Sequence, residues 1–223
     1  MTPEQIQKNL RSTITTARIE PTPLPLVPEI VLYLISADYP RGRLDNDEML
    51  RVMNAPAYWA FCWASGQVLA RYLLDNPGLV AGKSVLDLGC GSGVVGIAAS
   101  LAGAERVIAC DNDPFALAAT LANAQLAGVT LDLLANLDEL DQRVDLAIAA
   151  DVLYDRDNMP LLAKLPGLAE TVLVADSRIR HLGVDGYEIV QRNTATTVPD
   201  LDEMAEFNDV RVYRSTGVRL PTP

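Results

Sequence analysis

A glycine-rich turn between an apolar strand and a small-residue helix, a run of apolar strands alternating with helices, and two strand-like segments near the C-terminal end together predict an α/β fold. The expected architecture is a Rossmann-like, seven-stranded, mostly parallel sheet with helices on both faces, preceded by an N-terminal helical and extended cap. A length of 223 residues suits one such core with an appended segment. The expected organisation is an N-terminal helix and proline-rich arm over residues 1–27, a cap segment packed on the core over 28–81, and a ligand-binding core over 82–223.

Pro3 and the capping residue Thr2 predict a first helix over residues 3–10. Pro21, Pro23, Pro25 and Pro28 lack the amide that regular structure uses, so they predict an extended arm leading into a strand over residues 29–34. A polar interval follows around residues 41–48. Residues 57–74 read as one helix, with Trp59, Trp63, Gln67 and Arg71 along a stripe and Leu69, Tyr72 and Leu73 on the core side. Asn76-Pro77-Gly78 marks a turn. Strands are expected near residues 83–88, 106–110, 131–134, 144–149 and 171–175, joined through helices near 94–102, 114–127 and 159–168. Pro114 suits the first turn of its helix, where a missing donor does no harm. Residues 187–197 and 210–214 read as a terminal antiparallel pair.

The formal net charge of -11 sets up a field that repels phosphate backbones and anionic lipid heads, so neither nucleic acid nor a membrane surface is an expected partner. The basic spots, Arg41 with Arg43 and Arg178 with Arg180, are small and read as solvated surface. No apolar run reaches membrane-spanning length. Cys62, Cys90 and Cys110 have no metal-ligand spacing, and an odd count without a signal-like segment points to reduced thiols and a cytoplasmic location. His181 is the single histidine, which disfavours a histidine base and a multi-histidine metal site; no metal is expected.

The turn itself runs Val85-Leu86-Asp87-Leu88-Gly89-Cys90-Gly91-Ser92-Gly93. Glycines let the backbone turn tightly and approach a ligand with its amides. Asp111, with the adjacent Asn112, ends the next strand about 20 residues on, where a carboxylate can take the two hydroxyls of a ribose. Gly91-Ser92-Gly93-Val94-Val95-Gly96 also spells the dinucleotide pattern. Asp87 separates the two readings, because a carboxylate aimed at the turn repels a pyrophosphate but suits the ammonium of a methionine moiety. The residues thus point to an adenosyl cofactor, S-adenosylmethionine. Asn136 and Leu137 are candidates for the adenine ring, one through its amide and one through its apolar face. Asp151 and Tyr154 follow the strand at 144–149, on the sheet edge where open α/β folds bind ligands.

With these residues in view, the chain resembles the seven-β-strand, class I S-adenosylmethionine-dependent methyltransferases. Within them it resembles the protein-lysine group marked by Asp/Glu-x-x-Tyr/Phe after the fourth core strand, which Asp151 and Tyr154 match. A closer resemblance is to the electron transfer flavoprotein beta subunit lysine methyltransferase family. It is carried by Pro28-Glu29-Ile30 with Leu32, by Tyr58-Trp59-Ala60 with Trp63 and Gly66-Gln67, by Arg71-Tyr72-Leu73-Leu74-Asp75-Asn76-Pro77, and by Gly82-Lys83-Ser84 running into the glycine turn. It covers roughly residues 28–155. Further on the vertebrate pattern has Asp-Pro-Gly-Arg, where this chain has Asp176-Ser177-Arg178-Ile179.

The resemblance implies methyl transfer from S-adenosylmethionine, with S-adenosylhomocysteine as product, to a lysine of the electron transfer flavoprotein beta subunit. It also implies that Trp63 and Gly66 close the cofactor pocket and that Asp151 and Tyr154 form the catalytic pair. Asp87, Gly89, Gly91, Asp111, Asn112, Asn136 and Leu137 complete the expected cofactor site. Two other readings stay open: a methyltransferase for a ribosomal-protein amine or a small amine metabolite, and a non-catalytic binder of the same cofactor that acts as an interaction protein. Oligomeric state is not legible.

Overall fold

The computed structural model describes residues 1–39, 41–42 and 44–216; Arg43, one of the basic pair read from sequence, lies outside them. The chain opens with α1 (Pro3–Thr13), whose Thr2 hydroxyl accepts from the Gln5 amide at 3.4 Å and whose Ile6 and Leu10 are fully buried. An antiparallel ribbon of β1 (Ile19–Pro23) and β2 (Val31–Ile35) follows. The proline arm is therefore partly strand, contrary to expectation. Pro21 and Pro23 are spaced by two, so their missing amides fall on the same side. The Tyr33 amide, opposite Pro21, points out of the ribbon to Asn123 Oδ1 at 2.7 Å, so the Pro21–Tyr33 pair needs no mutual hydrogen bond.

The polar interval, for which no helix was expected, continues into α2 (Asn46–Asn54). Asp45 caps it by accepting from the Glu48 amide at 2.8 Å, and buried Glu48 accepts from the Thr15 amide and hydroxyl at 2.7 and 2.9 Å. Capping and one buried carboxylate hold α2, whereas its Met49, Leu50 and Met53 are exposed. An apolar stripe therefore could not have revealed which face packs.

The expected helix over 57–74 is also broken. Tyr58–Ala60 form a 3-10 turn, Phe61–Trp63 are extended, and α3 (Ala64–Asp75) starts only after Trp63. Cys62 and Val198 exchange two backbone hydrogen bonds of 2.8 Å, which pull the chain out of helical geometry. Trp59 is 2% exposed and packs with Ile6, Leu10 and Ala119, away from the half-buried Trp63. The four-residue stripe of the sequence reading does not exist.

The main sheet contains β3 (Ser84–Leu88), β4 (Arg106–Cys110), β5 (Asp132–Leu134), β6 (Val144–Ala150), β7 (Ala169–Asp176), β8 (Tyr187–Thr194) and β9 (Asp209–Ser215), in the order β5-β4-β3-β6-β7-β9-β8. β3 to β7 are parallel, and β9 runs antiparallel to both its neighbours, so the terminal pair stands as expected. The crossovers carry α4 (Val94–Leu101), α5 (Pro114–Leu126) and α6 (Leu161–Leu168). Side chains alternate along β3: Val85 joins Leu69, Leu73 and Ile97 under α3 and α4, while Leu86 joins Ile108, Leu162 and Leu165 under α6. Each face is thus covered by helix, as a buried parallel sheet requires. Among the described residues no helix is long and apolar enough to cross a membrane.

Candidate cofactor and acceptor site

Five parallel strands end on one edge of the sheet, and each end delivers a polar residue or a turn to it. After β3 come Gly89, Gly91 and Gly93, all left-handed, with φ of 69°, 51° and 81°. Gly89 also needs its bare Cα for packing, since an added Cβ would lie 2.5 Å from Val152 Cγ1. At Gly91 an added Cβ would meet nothing nearer than the Gly89 carbonyl at 3.9 Å, so here the turn leaves open space.

β4 delivers Asp111, half-buried, whose Oδ2 accepts from the Gly91 amide and Oδ1 from the Asp113 amide, both at 3.0 Å. The carboxylate thereby ties the turn to the start of α5 and keeps lone pairs for further donors. Burial is the main cause that raises its pKa, against the pull of the Asp113 and Gly91 amides. Asn112 beside it is exposed. The Asp111 amide donates to Leu134 at the end of β5, which brings the Asn136 loop next to Asp111. Asn136 itself uses its side-chain oxygen to accept from the Asp138 amide at 3.0 Å, and half-buried Leu137 packs on the core under α6.

Asp87 does not present its carboxylate to solvent. It is 2% exposed and Oδ2 accepts from the Gly96 amide in the first turn of α4 at 2.8 Å. Burial pushes its pKa up to about 7, opposed by the Gly96 amide and reinforced by the charge on Asp111. A group protonated more readily in the folded chain than in the unfolded one contributes stability that is complete below the ordinary value near 3.8 and lost as pH rises through about 7. A displacement of that size is worth on the order of 4 kcal/mol. We expect the ligand-free protein to lose thermal stability between about pH 4 and 7, and Asp87→Asn to flatten that slope in melts recorded across the range.

Directly after β6 comes Asp151, whose φ of 53° is unusual for a residue with a Cβ. The conformation is held from three sides. Its amide donates to the Ala175 carbonyl at 3.0 Å, Oδ2 accepts from the Ser65 amide at 3.0 Å, and Oδ1 accepts from the Ser65 hydroxyl at 2.6 Å. Ser65 lies in the first turn of α3, so the carboxylate also sits at a helix N-terminus. Burial nevertheless raises Asp151 to about 6, with Ser65 opposing it.

Tyr154 is 55% exposed and meets Tyr58 edge-on at 5.3 Å; Tyr58 in turn meets Trp63 at 5.8 Å. Trp63 Nε1 donates to the Tyr58 carbonyl at 3.0 Å. The three rings form one cluster, which joins the segment just before Ser65 to the loop that follows Asp151. Gly66 is fully buried and lets α3 approach α4, since an added Cβ would lie 3.0 Å from Val94 Cγ1.

The structure therefore gathers Asp87, Gly89, Gly91, Asp111, Asp151, Tyr154 and Trp63 at one strand edge, with Asn112 and the Asn136 loop at its flank. Sequence reasoning missed Ser65, and it named Tyr58 only within a family motif. Asp176 was noted only as a difference from the vertebrate pattern. Ser65 follows a tryptophan at a helix start, a signal too common to single it out. The three thiols are buried and unpaired, and burial raises each of them, Cys110 to about 11, so they act as packing groups.

The family described as ribosomal protein L11 methyltransferase (PrmA) matches residues 68–156. The electron transfer flavoprotein beta subunit lysine methyltransferase of Homo sapiens is 42% identical over 135 residues, which is 59% of this chain and 50% of that protein. The ribosomal protein L11 methyltransferase of Marinobacter nauticus is 45% identical over 94 residues, 41% of this chain and 30% of that one. The chain thus spans about half the length of the human relative. Among solved structures, a putative RNA methyltransferase from Pyrococcus horikoshii superposes with a TM-score of 0.55 at 22% identity, covering 69% of this chain and 83% of that one. The magnesium protoporphyrin IX methyltransferase of Synechocystis, solved with bound S-adenosylmethionine, gives 0.53 at 20% identity over 79% and 86% of the two chains. Sheet order, glycine turn and these similarities together give the chain the class I S-adenosylmethionine-dependent methyltransferase fold, with sequence similarity to the electron transfer flavoprotein beta subunit lysine methyltransferases.

Proposed function

We propose that this chain is an S-adenosylmethionine-dependent protein-lysine N-methyltransferase acting on the electron transfer flavoprotein beta subunit, in the cytoplasm. The observation that carries the reading is Asp151, a carboxylate fixed by Ser65 on the same strand edge as the glycine turn, with an aromatic cluster built from the segments that flank the pair. An acid with ring faces next to it suits a cationic acceptor. Exposed Met49, Leu50 and Met53 of α2, in the segment leading to Tyr58, suit a polypeptide better than a small amine. The names of the similar proteins supply the particular target.

The donor set fits the cofactor. Asp111 borders the turn and Asp87 lies buried beneath it against the Gly96 amide, both with raised pKa values, and the positive charge of a sulfonium ligand with an ammonium group would favour their ionised forms. Asp111 offers acceptors to ribose hydroxyls, and the open space at Gly91 admits a ligand that a Cβ would obstruct. When bound, the cofactor supplies an activated methyl group for in-line displacement.

The chain's own residues do the rest. A lysine with pKa near 10.4 is neutral only about one part in a few thousand at pH 7, so presenting the free amine costs about 4 to 5 kcal/mol. Asp151 docks and orients the nitrogen. Tyr154 and Tyr58 wall the approach and exclude water from it. We expect Tyr154→Ala to raise KM for the acceptor about tenfold and Tyr154→Phe to keep most of the affinity, because the ring face does the binding; equal losses in both variants would place the role on the hydroxyl instead.

The deciding experiment is transfer of labelled methyl from S-adenosylmethionine to purified electron transfer flavoprotein, with extract from a strain lacking the gene alongside. Label on the beta subunit supports the proposal. Label on a ribosomal protein supports the second reading, which the match to the L11 methyltransferase family favours. Bound cofactor with no label on any acceptor would favour a non-catalytic binder.

A further inference from the structure

Asp176 ends β7 next to Asp151 at the end of β6. Ala150 is in register with Ala175, the Asp151 amide donates to the Ala175 carbonyl, and the Ser177 hydroxyl donates to Asp151 Oδ1 at 3.4 Å. Asp176 is 1% exposed, yet it has no direct ion-pair partner among the described residues. Arg178 reaches instead to Glu203 at 2.6 Å, and Arg211 to Asp209 at 2.5 Å. What Asp176 Oδ1 does accept is the pair of backbone amides of Arg178 and Ile179, at 2.8 and 2.7 Å. Burial raises the Asp176 pKa, while the two amide donors, helped by the charges on Arg178 and Arg211, oppose that rise and favour the ionised carboxylate.

A second negative charge on the neighbouring Asp151 is then disfavoured. The charged and polar groups around Asp151 are few: the Ser65 amide and hydroxyl from α3, the buried Cys62 thiol just before α3, and Asp176, Ser177 and Arg178 from the end of β7, with Arg211 of β9 behind Asp176. Burial is the main influence against the Asp151 anion, Asp176 adds to it, and Ser65 and Arg178 favour the charged form.

We propose that Asp176 is a positioning residue for amine methylation: held as an anion by the Arg178 and Ile179 amides, it makes Asp151 the carboxylate that takes the proton from the acceptor ammonium. This rests on the reading of the site as an amine methyltransferase. In the step an ammonium N–H bond breaks, its electron pair stays on nitrogen, and an O–H bond forms on Asp151. The neutral amine is then the nucleophile, and Asp151 returns its proton to solvent after the product leaves. Asp151 therefore both orients the nitrogen and accepts its proton, which removes the need for a separate base.

The test uses Asp176→Asn, which keeps the shape and an oxygen for the two amides but removes the charge. Carboxyl NMR titration of the protein without ligands should show the Asp151 midpoint moving down from about 6. The acidic limb of the kcat profile should move down with it, while kcat on the plateau falls about tenfold, because Asp151 becomes a weaker base. The reciprocal variant, Asp151→Asn, leaves the Asp176 loop intact, and the Asp176 midpoint should fall in turn. An Asp151 midpoint and acidic limb that stay in place overturn the proposal even where kcat drops, since that is the pattern of a structural role. Coupled midpoints in a protein that methylates no amine would instead overturn the methyltransferase reading, and the proposal with it.

Discussion

Asp151→Asn is expected to lower kcat by about 10²- to 10³-fold while leaving the fold and the binding of S-adenosylmethionine within about threefold of the parent. Asparagine is the informative replacement. It tolerates the left-handed backbone that φ of 53° demands, and its side-chain oxygen can still accept from Ser65. It retains volume but offers the acceptor nitrogen no charge and no proton acceptor. Isothermal titration with the cofactor, alongside initial rates on the protein acceptor, separates the two effects. Near-normal kcat in this variant would remove Asp151 from the chemistry. A large loss of cofactor affinity would move it to the cofactor site.

Gly89→Ala is the variant expected to cost most in stability. A residue with a Cβ at φ of 69° is strained by about 1 kcal/mol, and the new carbon would lie 2.5 Å from Val152 Cγ1, an overlap worth about 1 to 3 kcal/mol. Val152 follows Asp151 directly and is 8% exposed, so it has little room to yield without moving the acid beside it. A melting temperature lower by roughly 5–15 °C and loss of measurable cofactor binding are expected. Gly167→Ala is the control: no atom lies within 4 Å of its added Cβ, it sits inside α6, and the change should be neutral or slightly stabilising. Similar melts for both variants would mean that the turn absorbs the Cβ and that Gly89 is not a packing constraint.

The two variants report on one junction. The turn after β3 and the loop after β6 touch through Gly89 and Val152, so the element expected to hold the cofactor and the acid expected to meet the acceptor cannot move independently. That contact joins residues far apart in the chain and could not be read from either motif.

Local signals made the core of the fold legible. Short apolar runs alternating with helical segments placed β4 at its observed bounds and β3, β6 and β7 within a few residues, because strand and helix periodicities are properties of neighbouring residues. The glycine turn and Asp111 were legible for the same reason: a sharp backbone turn must be written into the residues that make it. The N-terminal third was less legible. Prolines at alternate positions hid a strand whose amides had no ladder to serve, and α2 is held by a cap and by a buried Glu48 rather than by an apolar stripe. The break before α3 comes from the backbone pairing of Cys62 with Val198, a contact that no local pattern encodes.

By itself, then, the sequence determined the strand-turn-helix expected to cradle a ligand, the order of the core elements and the acids at their ends, since each depends on residues adjacent along the chain. Tertiary structure alone decided how those acids behave. Ser65 and Asp151 stand 86 positions apart and meet because α3 packs across the strand ends. Asp176 adjoins Asp151 because β6 and β7 are in register. Charge, burial and hydrogen bonding act through space, so the protonation of a carboxylate is fixed by neighbours that the fold brings together and the linear order keeps apart.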